Sequence, residues 1–334
     1  MDHKHTDYDL TLKGPIRLTS DSVQVTDADE EIFILYSELQ IGGAASTDFR
    51  GLGYLDSRKD ILEIKFELKG VSEAPSTTPT KKSKLRKAPK EAKTTVEIEL
   101  MQDKTALRSR KGDTGSVLWK ARSANPRHFL CDRAQTQPYS IDFAQLILEQ
   151  YHSCASNSLF NRDVLGSQNV LELGAGTGLL SIALSPLVKR YTATDIGPLI
   201  HLIEKNVSLN FSGWPNIPAG SGSNVSVEEL DWIAVESSSP TQRRKIYNTV
   251  NNPVDLLLVV DCIYHPSLIP PFLATVDYLS TPGRTAVLIV SELRAEDVMR
   301  EFLDKWLCMP GWEIWRIPNE EIGKHYAIFL GWKN

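Results

Sequence analysis

The sequence predicts an α/β fold, a mostly parallel sheet of seven strands with helices on both faces, preceded by a small β-rich region. Three observations carry this. From residue 140 onward, apolar runs of strand length alternate with stretches of helical periodicity, as in proteins built from strand–helix–strand units. One strand–helix junction is a glycine turn, "LELGAGTGLL" at 171–180. Upstream, "ILEIKFEL" (61–68) and "TVEIEL" (95–100) alternate apolar and polar residues with period two, the mark of half-buried antiparallel strands.

Composition sets the outer bounds. The 334 residues suffice for one large domain or two smaller ones, and 41% apolar with 24% charged residues is ordinary for a soluble globular protein. "MDHKHTDYDL" at the amino end contains no apolar signal core, and no run approaches the ~20 apolar residues of a membrane span. The expected location is therefore cytoplasmic, with the nucleus as an addition. Cys131, Cys154, Cys262 and Cys308 are scattered without a C-x-x-C spacing, which fits reduced thiols and neither a disulfide framework nor a metal site. Asn206-Val-Ser208 and Asn224-Val-Ser226 match the glycosylation sequon and read as chance matches. A net charge of −5 excludes indiscriminate nucleic-acid binding by the whole chain.

The elements follow in order. Residues 1–111 form the β-rich region. Within it "EIFILYSEL" (31–39) reads as an apolar strand or short helix, and 61–68 with 95–100 as a hairpin. The hairpin's tip is an insertion at 72–93. It starts Ser/Thr/Pro-rich and ends in "KKSKLRKAPKEAK", with seven basic residues and one acidic. Such a segment is expected to be disordered. It is either a solvated insertion without a role, a nuclear address, or an electrostatic contact for RNA or an acidic partner. Residues 112–334 form the second domain. "SIDFAQLILEQYHS" (140–153) has a helical pattern with Ser140 or Asp142 as cap. Strands then end at the glycine turn, at Asp195, at "LDW" (230–232), at Asp261 and after "RTAVLIVSEL". "GWEIWRIP" and "HYAIFLGW" close the chain as two more.

Function is legible at the ends of those strands, because open α/β sheets bind ligands at their carboxyl edge. Gly174, Ala175 and Gly176 between strand and helix let backbone approach a ligand closely. No G-K-[ST] follows, so the turn is not a phosphate-binding P-loop. NAD, FAD and a nucleoside cofactor stay open on the turn alone. Asp195 ends the second strand about twenty residues on, where a carboxylate accepts ribose hydroxyls. Glu172 is a polar residue inside an otherwise apolar first strand; this resembles methionine-cofactor enzymes, where an acid at this place serves the cofactor end of the sheet, more than NAD enzymes, which seldom need one. Asp231 can accept an adenine amino group, and Trp232 can lie against the ring; the structural alternatives are a helix cap and a core anchor. Asp261 and Tyr264 end the fourth strand, beside the first at the switch point, facing the reactive end of the cofactor.

The set "TGSVLW" (114–119), "LELGAGTGLLS", "TATD", "LDW" and "DCIY" resembles the seven-strand protein-lysine methyltransferases of the methyltransferase-like 21 group over residues 112–334. The N-terminal part is similar to the fungal ribosomal-protein lysine methyltransferases. The resemblance implies a Rossmann-like methyltransferase sheet, S-adenosylmethionine as cofactor, and a protein substrate, with a large-subunit ribosomal protein favoured and the chain acting as a monomer. It implies that Trp119, Gly174, Ala175, Gly176, Asp195, Trp232 and Val260 serve the cofactor, beside Glu172 and Asp231 as read from the strands. Asp261 and Tyr264 would face the target lysine. Ile233 stands where many members carry glycine.

The expected reaction is in-line transfer of methyl to a lysine amine, with Asp261 orienting the amine and Tyr264 walling the channel. His265 reads as a loop residue rather than a proton shuttle. The alternatives are lysine methylation of an elongation factor or chaperone, methylation of RNA or DNA, a cofactor-binding pseudoenzyme serving as an interaction module, and an NAD oxidoreductase. "IPPF" at 269–272 lies too far beyond Asp261 for a nucleic-acid-base methylation motif and reads as prolines opening a helix.

Overall fold

The computed structural model describes residues 14–41, 59–69, 93–103, 139–154, 158–318, 322–323 and 325–334. Trp119, the basic insertion and the boundary at 111/112 lie outside the described residues. The chain runs through β1 (Val23–Gln24), α1 (Ala28–Ile41), β2 (Ile61–Lys69), β3 (Lys93–Met101), α2 (Tyr139–Ser153) and α3 (Arg162–Leu165). The alternating part follows: β4 (Asn169–Leu173), α4 (Leu179–Leu184), β5 (Arg190–Asp195), α5 (Gly197–Asn210), β6 (Val225–Glu229), α6 (Trp232–Ser237) and α7 (Pro240–Ile246). Then come β7 (Leu256–Val260), α8 (Ile269–Leu279), β8 (Ala286–Glu292), α9 (Glu296–Leu307), β9 (Trp312–Ile317) and β10 (Tyr326–Lys333).

The main sheet has the order β1-β9-β10-β8-β7-β4-β5-β6. β8, β7, β4, β5 and β6 are parallel neighbours, and β10 runs antiparallel between β8 and β9. The α/β class is as expected, but the sheet has eight strands rather than seven. The addition is β1, where Val23 pairs with Arg316 and Gln24 with Trp315. Two residues are too few to show a period, so the sequence carried no sign of it. β4 lies between β5 and β7, so the order reverses there and the switch point falls at the glycine turn.

Each face of the sheet carries its own core, as a parallel sheet requires. One face packs the β2–β3 hairpin, α2, α4 and α5, through residues such as Phe66, Phe143, Leu180 and Ile203. The other packs α1, α6, α8 and α9, through Ile32, Val235, Phe272 and Phe302. The segment read as strand or short helix is helix α1. Ala28, Ile32 and Leu35 recur at helical spacing and are buried, and the Asp27 carboxylate accepts a hydrogen bond from the Glu30 N–H.

The hairpin matches its sequence pattern. β2 and β3 pair antiparallel from Ile61↔Met101 to Lys69↔Lys93. Leu62, Ile64, Phe66 and Leu68 are buried on one face with Ile98 and Leu100. The backbone of β3 is held by side chains of α5. The Asn210 amide bonds both the N–H and C=O of Glu99 (3.0 and 2.7 Å). Asn206 does the same for Met101 (2.7 and 3.0 Å) and also donates to the Thr177 carbonyl in the glycine turn (2.9 Å).

Candidate active site

The glycine turn between β4 and α4 holds Gly174, Gly176 and Gly178 at φ of 71°, 58° and 79°, the left-handed region that side-chain-bearing residues avoid. Gly174 also lacks room: a Cβ there would sit 2.5 Å from the Cys262 Sγ and 3.6 Å from the Trp232 ring. The turn after β4 and the loop after β7 are therefore in direct contact, with the Cys262 thiol 3.4 Å from the Leu173 carbonyl.

Asp195 organises the turn from the end of β5. Its Oδ2 accepts from the Gly176 N–H at 2.8 Å, and its Oδ1 from the Ile196 N–H at 2.8 Å. Its carbonyl accepts from Leu230 N–H at 2.8 Å, which ties the β6 end alongside. There Asp231 caps α6, its Oδ1 accepting from the Ile233 N–H at 2.9 Å. Trp232 is half-buried, tilted on Phe272 with ring centroids 5.2 Å apart, and its other edge borders Gly174. The helix-cap and core-anchor readings of this pair thus both describe real contacts, and Trp232 also borders the turn.

Glu172 is placed differently from its neighbours. It is 2% exposed and accepts a hydrogen bond from the Tyr191 hydroxyl at 2.9 Å. Burial, opposed by that bond and helped by the charge of Asp195, pushes its pKa up to about 8. Its carbonyl accepts from Thr194 Oγ1 at 2.6 Å. In this arrangement its contacts are with β5.

Asp261 follows β7 and takes the left-handed conformation, φ 59°. Its N–H donates to the Val290 carbonyl of β8 at 2.7 Å. Its Oδ2 accepts from Arg294 Nη2 at 2.5 Å, and Arg294 Nε also bonds the Glu292 carboxylate. Burial and the neighbouring Glu292 push the Asp261 pKa up to about 7, against the opposing pull of Arg294. Val260 is half-buried and pairs with Val290. Tyr264 is exposed, on the loop beyond. His265 caps the following turn, with Ser267 Oγ 2.8 Å from its Nδ1.

Gly174, Ala175, Gly176, Asp195, Asp231, Trp232 and Asp261 thus converge on the carboxyl edge at the switch point. Sequence reading missed Arg294, Glu292 and Cys262. "SELR" at the end of the fifth parallel strand offered a signal, an acid and a base beside the strand that carries Asp261.

A cavity of about 620 Å³ lies at the other edge, among the amino ends of β4, β5 and β6. Several of its polar side chains pair with one another or with nearby backbone: Arg190 with Asn252, Thr192 with Ser226, and Asn224 with the Ser185 and Val188 carbonyls.

Comparison with known proteins bears on this edge. The chain is similar to a protein of Schizosaccharomyces pombe named diaminohydroxyphosphoribosylamino-pyrimidine deaminase, 29% identical over 68% of this chain and 45% of that one. It is 33% identical to the protein N-lysine methyltransferase METTL21A of Danio rerio, over 40% of this chain and 53% of that one. It is 26% identical to the ribosomal lysine N-methyltransferase 5 of Kluyveromyces lactis, over 48% and 56%. The chain spans about half the length of these relatives. The sequence model of one family, described as lysine methyltransferase, matches residues 102–306, more than half of the chain and all five parallel strands. Membership follows from a match of that extent: this chain belongs to the lysine methyltransferase family, a class I group whose cofactor is S-adenosylmethionine.

Proposed function

We propose that this protein methylates a lysine side chain of a protein substrate, and that a large-subunit ribosomal protein is that substrate. The observation that carries the reading is the position of Asp261, a carboxylate held at the switch point beside a turn that admits no side chain at Gly174. The ribosomal substrate draws its support from the N-terminal sequence pattern and from the name of the Kluyveromyces lactis relative. The protein acts as a monomer, so that a folded partner can present its lysine, and works in the cytoplasm with access to the nucleus. The basic run at 81–93 contributes contact with RNA or an acidic surface of that partner. Among the described residues no helix is long and apolar enough to cross a membrane.

The residues fit the cofactor. The glycine turn offers bare backbone, Asp195 stands at the end of β5 where a carboxylate can accept ribose hydroxyls, and Trp232 offers an indole edge next to the turn. Ala175, Val260 and Trp119 would complete the set that holds the cofactor, with Asp231 accepting from the adenine amino group and Glu172 supporting the turn from within β4. S-adenosylmethionine supplies an electrophilic methyl group on a sulfonium.

The chain's own task is to deliver a neutral amine. Lysine is protonated at neutral pH, with a pKa of about 10.4, and an ammonium has no lone pair. A desolvated site and a nearby positive charge both favour the neutral form, so orientation contributes much of the rate. Asp261 accepts a hydrogen bond from the amine and aims its lone pair. Tyr264, at the exposed end of the same loop, walls the entry.

Labelled methyl from S-adenosylmethionine, supplied to fractionated cell extract with the wild-type protein and with Asp261→Ala, tests this reading. The expected result is one labelled protein that yields methyl-lysine on hydrolysis, with label reduced at least tenfold by the substitution. Label in RNA, or equal label with both proteins, would overturn it.

A further inference from the structure

We propose that Arg294 is the positioning residue of this site: its guanidinium holds the Asp261 carboxylate in place and favours its charge, with Glu292 as the opposing charge. The consequence for methyl transfer rests on the proposed function; the hold on Asp261 rests on geometry alone.

The geometry is over-determined at Asp261. A left-handed φ at a non-glycine residue costs energy and persists where the surroundings impose it. Here both ends of the residue are tied to the same neighbour. The backbone N–H is bound by Val290 in β8, and the carboxylate by Arg294, four residues further along the same segment. Arg294 is itself fixed by Glu292, so one planar fork spans two carboxylates. A guanidinium serves such a double contact; a lysine ammonium would make one arm of it. All three side chains are between 17% and 25% exposed, open enough for a substrate amine to arrive and closed enough for the charges to act on one another.

The charges acting on Asp261 among the described residues are Arg294 and Glu292; the adjacent Cys262 thiol also titrates, but burial and the carboxyls around it, Asp261 included, push it up and keep it neutral. Arg294 and Glu292 act in opposite directions. Arg294 favours the carboxylate, which accepts a hydrogen bond from an amine; burial and Glu292 favour the neutral acid. Removing either should move Asp261 in the direction opposite to removing the other. A side chain that merely supported the loop would not produce paired shifts of opposite sign.

The test follows the Asp261 carboxyl carbon by NMR through a pH titration of the full-length protein, assigned by its loss in Asp261→Asn. The pH profile of kcat/KM for methyl transfer is measured beside it. In Arg294→Ala the titration midpoint should rise by about one pH unit or more, in Glu292→Gln it should fall, and Arg294→Lys should lie between wild type and alanine. The acid limb of the rate profile should follow each midpoint, with cofactor affinity changed less than threefold. Midpoints that stay put, or move the same way in both variants, overturn the proposal. Should Arg294→Ala fail to fold, the upward shift in Arg294→Lys set against the downward shift in Glu292→Gln decides. A wild-type protein that transfers no methyl would sink the proposed reaction, while the midpoints still judge Arg294.

Discussion

At the scale of single residues, the most constrained position of the site is Gly174, where backbone angle and space both refuse a side chain. Gly174→Ala should lower affinity for S-adenosylmethionine at least tenfold, measured by calorimetry. Cys262→Gly in the same chain should restore part of it, because the methyl's nearest obstacle is the Cys262 Sγ while the cost of the φ remains. No restoration would mean that the contact is not what excludes the methyl. Glu172 gives a pH prediction. A carboxyl whose folded-state pKa is raised, here to about 8 from an ordinary 4.5, favours the fold while protonated and loses that contribution as pH climbs through the folded value. Glu172→Gln mimics the protonated form. Its melting temperature should match wild type near pH 4 and exceed it by a margin that grows from about pH 5 to pH 8. Equal or reversed melting temperatures near pH 7 would show that the folded-state pKa is not raised. These residue identities were readable because a glycine, or an acid inside an apolar strand, contradicts its surroundings. The contacts of Glu172 were not readable, since Tyr191 is nineteen positions away and meets it only once β4 and β5 are in register.

At the scale of elements, the hairpin and helix α5 depend on one another. β3 offers backbone groups that Asn206 and Asn210 satisfy, and Asn206 is 0% exposed. Asn206→Ala leaves the Met101 N–H and C=O and the Thr177 carbonyl short of a partner, which should cost about 1–3 kcal/mol in denaturant unfolding. Amide hydrogen exchange should speed up at Met101 ahead of the central strands. Unchanged protection there would refute the bridging role. Periodicity revealed the hairpin and nearly every parallel strand, because alternation and β-branched runs are local properties. It left α1 ambiguous, since "IFIL" is apolar on all sides. It also missed β1, whose pairing depends on an edge of β9 that lies almost three hundred residues away.

At the scale of the whole molecule, the carboxyl edge of the sheet gathers the chemistry because chain order reverses beside β4. That reversal was legible from the strand count and the acid at each strand end. The ion network of Arg294 was harder to see, because it requires β7 and β8 to be neighbours and their ends to be level. The sequence draws its clearest division near residue 111, where texture changes from alternating to strand–helix. The molecule joins its parts across that line. β1 extends the main sheet, α1 covers one of its faces, and the hairpin covers the other. Asn206 draws the consequence to a point, since one amide group bridges β3 to the loop that carries the glycines. The early segments are thus not a detachable accessory, and residues from 112 onward, expressed alone, would be an enzyme missing part of its own wall.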